Sequence, residues 1–133
     1  MHDRGEHDGV ITRTPATAAD ITEFFGMTPR ESMRAIVLRK DGEIRGLVGI
    51  ALARGHARFF ADFREEFRPD LSRVPVWRAV KAAMWFVEAY RGPVLALADA
   101  KEPDSERLLQ RLGFEHHDTQ DDGEIYVWPS SQR

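Results

Sequence analysis

The stretch EPDSERLLQRLGFE, residues 102–115, decides the fold because it contains a short helix together with both of its ends. Pro103 suits the first helical turn, where a main-chain N–H would have no partner in any case. Gly113 stands where a helix commonly ends in a left-handed residue, and Phe114 then enters a strand. Three leucines recur at the spacing of one helical face: Leu108, Leu109 and Leu112. The pattern predicts a helix that packs on a sheet and leads directly into a strand.

Strand-like segments lie on both sides of this helix. The preceding run PVLALA, residues 93–98, is apolar at every position, which is typical of a central strand covered on both faces. Residues 115–118 and 124–128 are further strand candidates, separated by a turn at Asp121-Asp122-Gly123.

The middle of the chain predicts an antiparallel meander. Its three strands are residues 34–40, 43–53 and 56–63. Asp41-Gly42 is a strong hairpin turn because that turn needs positive φ angles. Gly46 and Gly49 lie inside the second of these strands and indicate a bulge or a close approach of two main chains.

The remaining segments add helices. Residues 75–90 form a long amphipathic helix whose wide apolar face includes Trp77 and Trp85, so we expect it to pack on the sheet and on a second surface. Thr17 and Asp20 resemble a capping box for a helix that follows a short strand at residues 10–14.

A second short helix is predicted at residues 28–31, and the charged residues 64–73 are predicted to form a connection. The predicted order is therefore β-α-α-β-β-β-α-β-α-β-β, an α+β fold built on a mixed sheet.

Composition narrows the function classes. The chain has 133 residues, 42% of them hydrophobic and 31% charged, which suits one domain over residues 10–129 with tails at 1–9 and 130–133. Its net charge of −3 gives no indication of nucleic-acid binding, and it has no cysteine. We expect a cytoplasmic protein, since no apolar run resembles a signal peptide or a membrane span. Histidines and acids in the first tail are interpreted as solvated, so no metal site is expected: His2, Asp3, His7 and Asp8.

The order of elements, with RLGF closing the late helix, resembles the GNAT superfamily of acetyltransferases. The resemblance covers residues 10–128, and its most specific part is RLLQRLGFE. The late segment is also similar to GNAT-like proteins encoded by tailed phages, some of which are packaged in virions.

The resemblance implies a sheet that splays open between its fourth and fifth strands and holds acetyl-CoA there. Here these strands would be residues 56–63 and 93–98, and the cofactor's diphosphate would rest on residues 71–78 at the start of the long helix. The implied cofactor-binding residues are Arg73, Val74, Val76, Trp77, Arg78 and Ser105.

Two features depart from the family pattern. The diphosphate loop of the family contains glycines, whereas this chain has no glycine between Gly55 and Gly92, and Pro75 removes one N–H donor. Many family members carry a tyrosine as the thiolate's acid at the position that is Leu109 here, and leucine donates no proton.

Acids after the third meander strand are candidates for the general base. Asp62 and Glu65 could take a proton from an amine directly or through a water, provided that burial raises the carboxylate pKa. Glu66 is a third candidate. His116 and His117 follow Phe114, and strand alternation sends their rings to opposite faces, so one of them at most would face a site.

Two functions follow from these patterns. The first is an N-acetyltransferase that moves an acetyl group from acetyl-CoA to an amine. The second is a catalytically silent GNAT-fold protein that serves as a binding or structural component, for example in a phage virion. In either case the tryptophan-containing helix would offer a surface for a homo-oligomer or a larger protein assembly. A third option is a regulatory domain that binds CoA without turnover.

Overall fold

The computed structural model describes residues 9–102 and 104–129. Within these ranges the strands are β1 Ile11–Pro15, β2 Ser32–Lys40, β3 Glu43–Ala53, β4 His56–Phe63, β5 Val94–Asp99, β6 Glu115–Gln120 and β7 Gly123–Val127. The helices are α1 Ala18–Phe25, a 3-10 helix Glu65–Asp70, α2 Val74–Ala89 and α3 Ser105–Leu112.

One seven-stranded sheet, in the order β1-β2-β3-β4-β5-β7-β6, forms the centre of the protein. The pair β4–β5 is parallel and the other neighbouring pairs are antiparallel. Helices α2 and α3 pack on one face, here called the back face, around Phe59, Val80 and Leu109. Helix α1 packs on the opposite front face, where Ile21 and Phe24 cover β2 to β4.

The predicted α+β fold with a mixed sheet is confirmed, and the late helix forms as its sequence indicates. Helix α3 ends at Leu112, and Gly113 adopts a φ of 107° as its left-handed cap. Leu109 and Leu112 are buried against the sheet. Residue 103, residues 1–8 of the first tail predicted at 1–9, with its metal expectation, and the predicted tail at 130–133 lie outside the described residues.

The second short helix predicted at residues 28–31 is wrong. Residues 26–31 form bends that lead from α1 to β2. This segment has a cap-like threonine, a proline and an acid but no apolar stripe, and Met27 is 68% exposed. Without a face to bury, a single turn of helix is unstable, because nucleating a helix fixes several residues for one hydrogen bond. The connection at residues 64–73 in turn contains the 3-10 helix, which the sequence analysis did not predict.

Two glycines of β3 permit a bulge and a close approach of neighbouring main chains in the sheet. The register between β2 and β3 shifts at Leu38 and Arg39, next to Gly46, so a bulge is present where one was predicted. A Cβ added at Gly49 would lie 2.6 Å from the Ala35 Cα. Gly49 therefore allows two main chains to approach more closely than a side chain would permit.

Among the described residues, no helix is long and apolar enough to cross a bilayer.

Candidate active site

The sheet opens between β4 and β5. Their parallel register runs from Ala57–Val94 to Phe59–Ala96, although β4 continues to Phe63 and β5 to Asp99. The Ala57 N–H donates to the Pro93 carbonyl at 2.9 Å, which shows that Ala57 directs its main chain toward β5. Main-chain polar groups alternate along a strand, so Ala61 directs its N–H and C=O into the gap. The sheet thus exposes main-chain N–H and C=O groups of β4 between β4 and β5. These groups suit a ligand that carries amide groups.

A cavity of about 70 Å³ lies in this gap. Its wall comes from β4, β5 and the first turns of α3: Phe59, Phe60, Ala61, Ala96, Leu97, Ser105, Leu108 and Leu109. The Ser105 hydroxyl donates to the Glu102 carbonyl at 2.6 Å, so it caps the turn before α3 while lining the cavity. Apart from Ser105 the lining side chains are apolar, which suits a thioester and its acyl group.

Asp62 lies near the end of β4. It shares the front face with the buried Phe60, because residues two positions apart on a strand point to the same side. The side chain keeps contact with solvent, yet neighbouring protein removes enough water from the carboxylate to raise the pKa of Asp62, while the charge of Arg58 opposes that rise. Asp62 does not line the cavity but follows Ala61 of its wall along β4, and a carboxylate with a raised pKa is suited to accept a proton from an amine.

The other two candidate acids form ion pairs with arginines. Glu65 accepts a hydrogen bond from Arg68 at 3.1 Å and its side chain is 81% exposed. Glu66 pairs with Arg45 at 2.7 Å. Of the three predicted acids, Asp62 is therefore the acid that the fold brings closest to the conditions required of a base.

An ion pair joins the two loops at the mouth of the opening. Arg68, on the 3-10 helix after β4, donates to both carboxylate oxygens of Glu102, at 3.1 and 3.3 Å. Glu102 lies on the connection from β5 to α3. Because both side chains are about half exposed, water and salt weaken this pair, and a ligand can displace it at little cost.

The start of α2 contains a buried ionic cluster. The Asp70 carboxylate accepts from Lys40 at 2.9 Å and from Arg73 at 3.0 Å, and Arg73 also donates to the Gly9 carbonyl at 3.1 Å. Burial alone would raise the pKa of Asp70, but the hydrogen bonds and charges of Lys40 and Arg73 outweigh it and hold that pKa below its usual value. The guanidinium of Arg73, one of the predicted diphosphate contacts, thus already serves a carboxylate of the same chain.

The main-chain donors of the first turn of α2 are also partly engaged. Pro75 has no N–H, and the N–H groups of Val76 and Trp77 donate to the Arg73 carbonyl at 3.1 and 3.3 Å. This leaves the Val74 N–H as the donor of that turn for which no main-chain bond is recorded in the described part of the chain.

The other predicted cofactor contacts are divided between core and surface. Val76 is buried in the core, whereas Val74 and Arg78 are exposed. The Trp77 ring lies under the Arg111 guanidinium at 4.0 Å from its centroid. The structure therefore places Ser105 at the cavity and the five residues at 73, 74, 76, 77 and 78 around the start of α2.

A concave surface of about 420 Å³, which the sequence did not predict, lies on the front face beyond β4. Its lining combines an apolar floor with a polar rim: His56, Arg58, Leu95, Ala96, Leu97, His117, Asp118, Gln120 and Ile125. It borders the cavity along Ala96 and Leu97. Alternation along β4 and β5 was the available signal, but locating this surface requires the order of strands in the sheet.

The two adjacent histidines of β6 have different surroundings. His116 contacts Glu124 at 2.7 Å and its ring packs edge-on against Tyr126, with centroids 5.6 Å apart. His117 lies at the irregularity in the β6–β7 register and lines the concave surface. Of this histidine pair, His117 is the member at the candidate site.

Tyr126 is engaged outside the opening. Its hydroxyl donates to Glu106 at 2.9 Å and accepts from Gln110 at 3.0 Å. Burial, together with the bond to Glu106, raises the pKa of Tyr126. The hydroxyl thus faces α3, and Tyr126 is not among the residues that line the cavity.

No group of three or more His, Asp or Glu within residues 9–102 and 104–129 is arranged to hold a metal ion.

Known proteins resemble this chain in fold rather than in sequence. No protein-family model matches the sequence, and no curated protein matches it. The fold, in contrast, matches solved structures over nearly their whole length. A GNAT-family acetyltransferase from Streptococcus pneumoniae superimposes with a TM-score of 0.62 at 10% identity, covering 89% of this chain and 96% of that one.

Two further structures agree with it. The ribosomal-protein-S18-alanine N-acetyltransferase from Escherichia coli gives a TM-score of 0.58 at 14% identity, with 89% and 91% of the two chains covered. A spermidine N-acetyltransferase from Vibrio cholerae gives 0.57 at 11% identity, with 88% and 91% covered. With its sheet opening between β4 and β5, this chain has the fold of the GNAT acetyltransferases.

Proposed function

We propose that the protein is an N-acetyltransferase of the GNAT type, which transfers an acetyl group from acetyl-CoA to an amine by direct attack. The observation that carries the proposal is the opening between β4 and β5, with the main chain of Ala61 directed into a cavity whose lining side chains, apart from Ser105, are apolar. In this proposal the main-chain groups of Ala61 hold amide groups of the CoA arm, and the cavity receives the acetyl thioester.

The amine approaches from the front face, across the concave surface that borders the cavity at Leu97. Asp62 accepts a proton from the amine, directly or through a water, as the N–C bond forms. The C–S bond then breaks and the thiolate leaves. Because the side chain at Leu109 offers no proton, the thiolate takes its proton from water at the open mouth.

The cavity of about 70 Å³ suits the reacting end of the cofactor, so the diphosphate would lie outside it, over the start of α2. There the Val74 N–H, the helix dipole and the exposed Arg78 favour an anion. Arg73, Val76 and Trp77 complete the proposed contacts around that turn. Arg68 adds a further cation once its pair with Glu102 is displaced.

A second candidate is a GNAT-fold protein without catalysis, which binds CoA or a protein partner. The specific observations that favour it are the engagement of Arg73 by Asp70 and the ion pair between Arg68 and Glu102 across the mouth. Its narrower form is a component of a phage virion, motivated by the likeness of the late helix segment to phage-encoded proteins.

Calorimetry and thermal unfolding with acetyl-CoA distinguish these functions. A ligand at 100 times its dissociation constant should stabilise the protein by about 2.7 kcal/mol. We expect such a shift, followed by release of thiol when a panel of amines is added. No shift at millimolar acetyl-CoA would exclude the enzyme and the CoA-binding protein together, whereas a shift without thiol release on any amine would leave binding alone.

A matched pair of variants locates the site. Ser105→Leu places a branched side chain in the wall of the cavity and should abolish the shift. Ser32→Leu makes the same change at the exposed start of β2, on another part of the sheet, and should keep it. An equal shift in both variants would place acetyl-CoA somewhere other than the opening.

A further inference from the structure

The outward face of α2 carries a tryptophan that the fold does not cover. Trp85 is 66% exposed, and its ring packs edge-on against Phe86 with centroids 5.7 Å apart, which holds it at the surface. The opposite side of the helix supplies the core residues of the back face. A large exposed aromatic side chain on a rigid helix is typical of a contact surface, because tryptophan is enriched at the energetic centres of interfaces.

The neighbours of Trp85 divide into two edges. At 100° per residue, Lys81 and Glu88 lie together on one side of Trp85, while Ala82 and Ala89 lie together on the other. All four side chains are exposed. The outward face is thus a tryptophan with a charged edge and a small-residue edge, and the charged edge carries opposite signs before and after the tryptophan.

We propose that two copies of the protein associate through this face, with their α2 helices antiparallel about a two-fold axis at Trp85. A two-fold axis perpendicular to the helix reverses its direction and keeps each edge on the same side. Lys81 lies about 6 Å before Trp85 along the helix and Glu88 about 4.5 Å after it, so Lys81 faces Glu88 of the partner subunit. The symmetry creates this ion pair twice.

The second edge supports the same geometry. Ala82 and Ala89 face each other across the axis, and their small side chains let the helices approach until the two Trp85 rings are covered. A parallel pair would exchange the edges and set Lys81 against alanine, which leaves the charges without partners. The face is therefore complementary to itself in the antiparallel arrangement.

Within residues 9–102 and 104–129, neither charge has an ion-pair partner. In the described residues Glu88 has no recorded hydrogen bond or ion pair, and Lys81 has only the Trp77 ring, at 5.8 Å from its ammonium. Both remain available to the partner subunit. The inference does not depend on the proposed acetyl transfer, since it uses the outward face of α2 and no residue of the cavity.

Sedimentation equilibrium from about 10 µM to 1 mM tests the association, a range chosen for a contact centred on one helix. We expect the average mass to rise with concentration from 15.2 kDa toward twice that value. Trp85→Ala should weaken the association at least about tenfold. A mass that stays at the monomer value throughout, or a Trp85→Ala variant that associates as the parent does, would overturn the proposal.

Charge exchange tests the antiparallel geometry. Lys81→Glu alone should weaken the association about fivefold, because two equivalent pairs become repulsive. The double variant Lys81→Glu with Glu88→Lys restores both pairs and should associate like the parent. Arg107→Glu, an exposed charge on α3, is the matched control and should change nothing. A double variant as weak as Lys81→Glu alone would refute the antiparallel pair, and unchanged circular dichroism confirms folding in each case.

Discussion

Asp62 and Glu65 stand close together in sequence but in different electrostatic surroundings. The pKa of Asp62 is raised because protein displaces water from its carboxylate. Glu65 meets the Arg68 guanidinium at 3.1 Å in open solvent. A general base near neutral pH needs a pKa closer to that pH, so the environment rather than the residue type makes Asp62 the better proposed base.

Replacing Asp62 therefore gives a specific prediction for the proposed acetyl transfer. Asp62→Asn should lower kcat by about 10²-fold or more, because general bases contribute roughly 10²–10⁴-fold. In the parent, kcat should fall as the pH drops through the raised pKa, since only the carboxylate accepts a proton. The measurement is thiol release against pH.

Glu65→Gln is the control for this measurement. It should keep both the rate and the pH profile of the parent, since Glu65 faces Arg68 and solvent. Asp62→Asn should not destabilise the fold, because it removes a partly desolvated charge. Equal losses of rate in the two variants would contradict the assignment of Asp62.

Asp70 is a residue whose charge serves the fold. Its side chain is 4% exposed and lies between Lys40 and Arg73. Removing one member of a buried ion pair is costly because the charge that remains keeps its desolvation penalty. Asp70→Asn should therefore lower the free energy of unfolding by about 3 kcal/mol, measured by urea denaturation.

The exposed pair of Arg45 and Glu66 provides the comparison. Glu66→Gln removes a carboxylate whose side chain is 58% exposed and should unfold at nearly the same urea concentration as the parent. If Asp70→Asn were as stable as Glu66→Gln, the cluster at the start of α2 would have no role in stability.

At the scale of elements, the start of α2 and the late helix α3 show two uses of the same geometry. Both helices begin on the edge of the sheet where β4 and β5 end, but the start of α2 lies against the end of β2, where Asp70 binds Lys40. In α3 the first turn supplies Ser105 to the cavity wall. In α2, Pro75 has no N–H and Asp70 binds Arg73, so in the proposed function side-chain cations such as Arg78 would make the main contribution to binding the diphosphate.

Strand β3 gives the prediction at this scale. Gly49→Ala would set a Cβ against the main chain of Ala35, with an ideal separation of 2.6 Å from its Cα. The two strands would have to separate, at a cost of about 3 kcal/mol in the free energy of unfolding, because the clash is with main-chain atoms that cannot rotate away. Gly55→Ala is the comparison, because its φ of 83° costs about 1–2 kcal/mol but its surroundings are open. Denaturation midpoints should place Gly49→Ala as the less stable variant, and the reverse order would show that β2 and β3 can separate freely.

At the scale of the whole molecule, the helices cover the two faces of the sheet unequally. The back face is covered by α2 and α3, while α1 covers the front face only over β2 to β4. The uncovered part of the front face is the concave surface, and it borders the cavity. The fold thus leaves open the side from which, in the proposed function, an amine would reach the thioester.

The whole molecule should lose stability in acid. The pKa of Asp20 is lowered, mainly by the Thr17 N–H, and that of Asp70 by Lys40 and Arg73, from an ordinary value of 3.8. Between the ordinary and the lowered values the unfolded chain binds more protons, so stability is full above about pH 5 and falls as the pH drops through the folded values. Asp62 has the opposite sign and offsets part of the loss.

Urea midpoints at pH 7, 5 and 3 measure this dependence. We expect similar midpoints at pH 7 and 5 and a lower midpoint at pH 3. The Asp70→Asn variant should show a smaller drop between pH 5 and 3, since one of the responsible carboxylates is absent. An identical drop in the variant and the parent would assign the acid sensitivity to other groups.

The sequence by itself determined the features that act between near neighbours. The capping box of Thr17 and Asp20, the Asp41-Gly42 turn and the Gly113 cap all form as predicted, because each joins residues a few positions apart. The same local reasoning failed at residues 28–31, where the cap signals were present but no apolar stripe was available to stabilise a helix.

Only the tertiary structure decided the features that join distant parts of the chain. The separation of β4 from β5 beyond Phe59 depends on how two strands far apart in sequence diverge. The pairing of Lys40 with Asp70 joins residues 30 positions apart. The outward position of Trp85 follows from which side of α2 the sheet covers, and an apolar pattern wide enough for two surfaces predicts both but does not assign the tryptophan to either. Burial and charge pairing depend on the whole packed chain, whereas caps and turns depend on a few consecutive residues.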